Sequence, residues 1–143
     1  MKYTSEITIN LPRERVIELF DNPDNMHKWQ PGLESFEHIS GEAGQPGATS
    51  RLKYKMGKRE IEMIETITSR NLPDEFSGTY EAKGVWNNVV NRFYAEGDKT
   101  RWVAEHDFKF GGFMKLMGWI MPGAFTKQTR QIMEQFKEFA ESV

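Results

Sequence analysis

The side chains able to do chemistry are few: a histidine, an acid, two tyrosines and two amides, each in a stretch where apolar residues alternate with polar ones. His106 lies in 100–110, where Trp102, Ala104, His106 and Phe108 alternate with Arg101, Val103, Glu105 and Asp107. If the aromatic side points inward, the imidazole goes with it and can orient a ligand carbonyl or act as acid or base. The competing role is a core histidine bonded to backbone, or one at the rim. Glu65 shares a side with Ile61, Met63 and Ile67, so it is the acid to test for burial. Burial would raise its pKa and make it a proton donor. Glu60 and Glu62 alternate with Ile61 and Met63 as a solvated strand face does. Asn87 and Asn91 share a side with Val89 and Phe93 and can supply the few polar points of an apolar pocket. The opposite register, with Trp86, Val90 and Tyr94 inward, fits equally well, because both sides carry apolar residues.

Composition removes several chemistries. The chain has no cysteine, so there is no disulfide framework and no thiolate nucleophile. Its three histidines, at 27, 38 and 106, show no metal-ligand spacing, and neither metal nor cofactor is expected. With 19 Lys and Arg against 21 Asp and Glu there is no basic excess to bind phosphates, which argues against nucleic acid. The opening MKYTSEITIN has no apolar signal core, and the apolar stretch from Phe113 to Met121 is short and contains Lys115. A cytoplasmic protein without stable membrane insertion is expected, as a monomer or homodimer. Its 143 residues suit one domain, 1–143, with one core. Ten Phe, four Trp and four Tyr among 38% hydrophobic residues are an aromatic-rich supply that suits a cavity as well as a core.

The elements that must position these groups follow from periodicity. Residues 3–11 alternate as a half-buried strand, and Asn10 is placed to cap a helix holding Pro12, Val16, Ile17, Leu19 and Phe20. That helix should end near Asp21, before the pre-proline Asn22. A second short helix spans 24–29 and is closed by Pro31-Gly32. Strands are predicted at 33–41, 49–56, 59–69, 75–82, 85–95 and 100–110, joined by turns too short for parallel crossovers, hence an antiparallel meander. The one long helix, at the end of the chain, must cover its apolar face with a stripe of Phe113, Met117, Met121, Phe125, Ile132, Phe136 and Phe139. Pro122-Gly123 should kink or break that stripe and act as a hinge. The Met-rich portion before it suits an adaptable wall over a guest, while Trp119, out of line, suits a cavity mouth, a dimer contact or a membrane surface.

Four local features, in this order, carry a resemblance. LPRERVIELF follows the first strand, and DNPDNMHKWQPGL ends in Trp29 and Pro31-Gly32. GEAGQPGATSRLKY enters the third strand, and NRFYAEGDKTRWVAEHDFKF makes two strands around an acidic-Gly turn. Together they resemble the START-like helix-grip superfamily, in particular its polyketide cyclase/dehydrase and lipid-transport branch, related to the Bet v 1 proteins. The resemblance covers essentially the whole chain. It implies an α+β helix-grip fold: a seven-stranded curved antiparallel sheet around a long C-terminal helix, with two short helices between strands 1 and 2. It also implies an apolar cavity between sheet and helix for a small hydrophobic molecule: a lipid, a polyketide or an aromatic compound. The superfamily shares no catalytic motif, so no catalytic role carries across.

The expected lining set is Trp29, Tyr54, Met63, Phe76, Tyr80, Asn91, Trp102, His106, Met117, Met121 and Phe125. A binding or carrier protein needs only this apolar lining and a few polar contacts. A cyclase or dehydratase would use His106, with Tyr54, Tyr80 or Glu65 as proton-transfer partners, and needs two titratable groups converging in the cavity. A third expectation has residues 113–121 presented to a protein partner. The scarcity of inward titratable groups favours the carrier.

Overall fold

The computed structural model of the chain describes residues 1–112 and 122–143. Its elements are β1 (Lys2–Ile9), α1 (Arg13–Phe20), α2 (Met26–Trp29), β2 (Leu33–Ser40), β3 (Thr49–Met56), β4 (Arg59–Asn71), β5 (Glu75–Ala82), β6 (Val85–Glu96), β7 (Lys99–Phe110) and α3 (Pro122–Ser142). A 3₁₀ turn, Pro23–Asn25, leads into α2, and Asn22 before it is extended, as a pre-proline residue should be. The Asn22 side chain accepts from the Asp24 backbone N–H at 3.0 Å.

One expected cap does not form. The backbone leaves β1 at Ile9 and α1 begins only after Pro12, whose φ of −60° is already helical and which stands at the N-cap without any side-chain bond. Asn10 is taken up elsewhere, its amide donating to Glu141 of α3 at 3.1 Å.

The sheet is seven-stranded, curved and antiparallel, in the order β1-β7-β6-β5-β4-β3-β2. The last six strands form the expected meander, and β1 adds outside β7. Gly78 marks the tightest approach: a Cβ there would lie 2.9 Å from the Thr66 carbonyl oxygen, so only glycine fits beside the irregularity between Ile67 and Ser69.

Residues directly opposed in antiparallel strands share a face, so the register sorts the helix-facing side into files. Ile7, Trp102 and Phe93 make one file; Ser5, Ala104, Asn91 and Phe76 make the next. With Val16 and Leu19 of α1, Trp29 of α2 and Met133, Phe136 and Ala140 of α3, these files form the packed core. Burying a large apolar side chain contributes roughly 1.5–3 kcal/mol. Phe20 touches the rings of Trp29, Phe76, Phe93, Trp102 and Phe136, with centroids 5.0–6.2 Å apart. This half of the interior is filled by aromatic rings packed on one another.

Helix α3 is described from Pro122, a residue tolerated at a helix start because its missing N–H has no intrahelical partner there. The expectations for Phe113, Met117, Trp119 and Met121, and so for the Met-rich wall ahead of the helix, lie outside the described residues.

Candidate functional site

Beyond the packed half, the helix-facing side of the sheet changes character. Asn87, Tyr80, Glu65 and Ser50 are directly opposed in turn across β6, β5, β4 and β3, which makes one unbroken polar file. Strand alternation places each of them, and the pairing register brings them side by side. His106 lies one step diagonally from Asn87, opposite Val89 on β6 and opposite Tyr3 on β1. The open question about β6 is thereby answered: Val89, Asn91 and Phe93 are buried and share their face with Asn87, whereas Tyr94 is 41% exposed.

Glu65 is the buried acid, only 7% exposed. The Tyr80 hydroxyl donates to its carboxyl. Burial pushes the Glu65 carboxyl up from the usual range, partly offset by that bond. Burial also pushes the Tyr80 hydroxyl well above its ordinary value, and the neighbouring Glu65 adds to the effect. Tyr54 is raised too, by burial first and the Glu65 charge second, and its hydroxyl donates to Gln30 Oε1 at 2.6 Å. Burial dominates both tyrosine hydroxyls, yet neither side chain is fully covered.

At the other end of the file, the His106 ring stacks on Tyr3, with centroids 4.9 Å apart, and on Phe108 at 5.8 Å. Burial lowers its pKa to about 4, so the imidazole is neutral at pH 7. The Asn87 amide nitrogen lies 3.4 Å from His106 Nδ1, and the Asn87 side-chain oxygen is buried without a partner. Tyr3 donates to the Phe125 carbonyl at 3.2 Å and meets Thr129 Oγ1 at 2.6 Å, which ties β1 to α3. Phe125 packs its ring 5.1 Å from both Phe108 and Phe110.

The expected lining residues therefore separate. Trp29, Phe76 and Trp102 sit in the aromatic cluster, and Asn91 is committed to Trp102, accepting its Nε1–H at 2.9 Å. Trp29 Nε1 is buried there without a partner. Tyr54, Tyr80 and His106 belong to the polar half, with Phe125 packed on Phe108 and Phe110 at the β7 end and Met63, half-buried, opposed to Leu52 beside Glu65. Met117 and Met121 lie outside the described residues. Sequence reading did not single out Tyr3, Gln30 or Ser50. The inward parity of Tyr3 and Ser50 was visible, but their partners come from strand pairing and from α2. Glu60 and Glu62 are exposed, and Glu62 pairs with Arg51 at 2.6 Å.

Chemically, the arrangement offers a buried carboxyl with a tyrosine hydroxyl bonded to it, a neutral imidazole and an unsatisfied amide oxygen on one apolar-bordered face. It can orient an oxygenated molecule. Among the described residues no group of three or more His, Asp and Glu could hold a metal ion, and no helix is long and apolar enough to cross a membrane.

Comparison with known proteins agrees with this architecture. The chain is similar to a START superfamily protein from Mycobacterium smegmatis, with a TM-score of 0.83, 10% identity and coverage of 99% of this chain and 97% of that one. It is similar to the ZhuI aromatase/cyclase from a Streptomyces species, with a TM-score of 0.80, 13% identity and coverage of 99% and 93%. A conserved protein from Geobacillus kaustophilus gives a TM-score of 0.79, 16% identity and coverage of 99% and 96%. At these identities the likeness shows the fold. No curated protein sequence matches the chain. The family model described as polyketide cyclase/dehydrase and lipid transport matches residues 1–141, and with the START-like fold it supports a domain that binds a hydrophobic ligand. On that match the chain belongs to the polyketide cyclase/dehydrase and lipid transport family.

Proposed function

We propose that the chain binds a small, largely apolar molecule carrying a few polar groups, held between the helix-facing side of the sheet and α3. The observation that carries this reading is the polar file Asn87–Tyr80–Glu65–Ser50, buried at Glu65 and Ser50, only partly covered at Asn87 and Tyr80, and with the Asn87 oxygen unpaired. A purely structural interior would fill such positions with apolar side chains, because an unpaired buried polar atom costs about 1–3 kcal/mol. Apolar contacts from Met63, Phe108 and Phe125 would supply affinity, and the file would orient the guest. Native mass spectrometry of protein purified from its own host should show a co-purifying apolar molecule, and solvent extraction should lower the melting temperature. At 100 times its Kd such a ligand contributes about 2.7 kcal/mol of stability. A clean apo mass, with no melting shift across a lipid and polyketide panel, would overturn the reading.

A second reading, a cyclase or dehydratase for a polyketide-like or aromatic substrate, is favoured by one observation: the buried Glu65 carboxyl with Tyr80 hydrogen-bonded to it. In a dehydration, Glu65 would protonate the departing hydroxyl as the C–O bond breaks, and a base would take the proton from the adjacent carbon. His106 is the available base, but it stands three strands away, about 14 Å at roughly 4.8 Å per strand. That spacing spans a long substrate rather than one bond, which is why binding is placed first. Turnover of a β-hydroxy ketone, falling roughly 10²–10⁴-fold in Glu65→Gln, is the expected signature. No turnover by the parent protein removes this reading.

A further inference from the structure

We infer that the interior selects apolar molecules whose polar end is a hydrogen-bond donor, a hydroxyl or an amine, and disfavours the matching carboxylate. The inference rests on the ligand-binding reading above and adds the chemistry of the guest. It comes from counting what the polar half has already used. Each inward tyrosine proton is committed to the protein: Tyr3 donates to the Phe125 carbonyl, Tyr54 to Gln30 and Tyr80 to Glu65. What is left over on the file itself is chiefly acceptor capacity; the unused donors lie outside it, the ring N–H of the neutral His106 at its end and Trp29 Nε1–H in the aromatic half. The buried Asn87 oxygen has no partner, and the Glu65 carboxyl takes the Tyr80 bond while an ionised carboxylate can accept about four.

Charge points the same way. Among the described residues no Lys or Arg figures in the environment that shifts Glu65, and Arg59, which shares the inward parity of β4, is exposed at the start of that strand. Arg51, Lys53 and Lys55 of β3, Arg92 of β6 and Lys109 of β7 occupy the alternate positions and face away from α3. Arg51, Arg70, Arg92 and Arg101 are held in ion pairs with Glu37 and Glu62, Asp21, Glu105, and Glu6 and Glu96. A guest carboxylate would be desolvated beside Glu65 with no cation among the described residues to meet it, which is costly. A guest hydroxyl can donate to Asn87 or Glu65, and a guest ammonium can also neutralise Glu65.

The test compares three molecules with one tail. Protein carrying the neutral dye Nile red is titrated below micellar concentrations with dodecan-1-ol, dodecylamine and dodecanoate at pH 7.5, for the parent and for Glu65→Gln. The alcohol and amine should displace dye at concentrations at least about tenfold lower than dodecanoate. In Glu65→Gln, checked for an unchanged fold by its melting curve, dodecanoate should gain several-fold and the amine should lose any advantage over the alcohol. An amine that outcompetes the alcohol in the parent identifies an ionised Glu65 and supports the inference, whereas the reverse order identifies a protonated Glu65, itself a donor, and counts against it. Dodecanoate binding as tightly as the alcohol, or a selectivity that Glu65→Gln leaves unchanged, overturns the inference while the binding reading stands. If neither dye nor any of the three binds, the binding reading itself fails.

Discussion

Phe136→Ala is expected to lower the unfolding free energy by about 3–5 kcal/mol, the range for truncating a large buried aromatic residue. Phe136 has no exposed surface and meets Phe20, Trp29 and Trp102 with centroids 5.0–5.8 Å away. Those rings are held by three different elements besides α3, so the space cannot close by shifting one of them. The cavity term should therefore add to the lost transfer energy. Urea unfolding would show a lower midpoint with little change in slope. Such a loss is a large share of the 5–15 kcal/mol that holds a typical domain. The prediction also separates the two halves of the interior. If Phe136→Ala costs less than about 1 kcal/mol, the aromatic half has slack, and Trp29, Phe76 and Trp102 become guest contacts rather than filler.

Much of this division was legible in the sequence, and the parts that were not have physical causes. The strands announced themselves because one face is covered and the other wet, so alternation survives in β1, β3 and β7. Strand β6 hid its orientation, since Trp86 and Tyr94 look like core residues. In the fold they lie on the outer side under cations, Lys109 at 4.8 Å from the Trp86 ring centroid and Arg101 at 4.6 Å from that of Tyr94. The inward parity of Glu65 could be read from Ile61, Met63 and Ile67. Its neighbours could not, because the file joins residues 50, 65, 80 and 87 through a register fixed by three separate turns and one bulge. Asn10 was misread for a related reason: its partner Glu141 is 131 residues away, and local capping rules see only the next turn.

The acid limb of the stability curve should carry a His106 loss, opposed by Glu65, whose raised pKa makes protonation favour the fold in both the parent and the His106 variant. The His106 pKa falls from 6.5 to about 4 in the fold, because burial disfavours the imidazolium. A base whose folded pKa is depressed contributes stability that is whole above the unfolded value and is lost as pH drops through the folded one. The window is therefore pH 6.5 down to 4. The shift, 6.5 minus about 4, corresponds to about 3 kcal/mol at 1.36 kcal/mol per unit. The groups of the described residues that face the ring are Tyr3 from β1 and Asn87 from β6, with Phe108 beside it, and none carries a negative charge at these pH values. Nothing there rewards protonation. His106→Gln keeps a hydrogen-bonding group at the end of the file but cannot titrate, so its stability should stay flatter across this window. Glu141, held low by its bonds to Lys137 and Asn10, weakens both proteins alike in acid, and the difference between their urea midpoints isolates the imidazole. Parallel losses would mean that water already reaches the ring, and that the end of the polar file beside Tyr3 is a mouth rather than a closed wall.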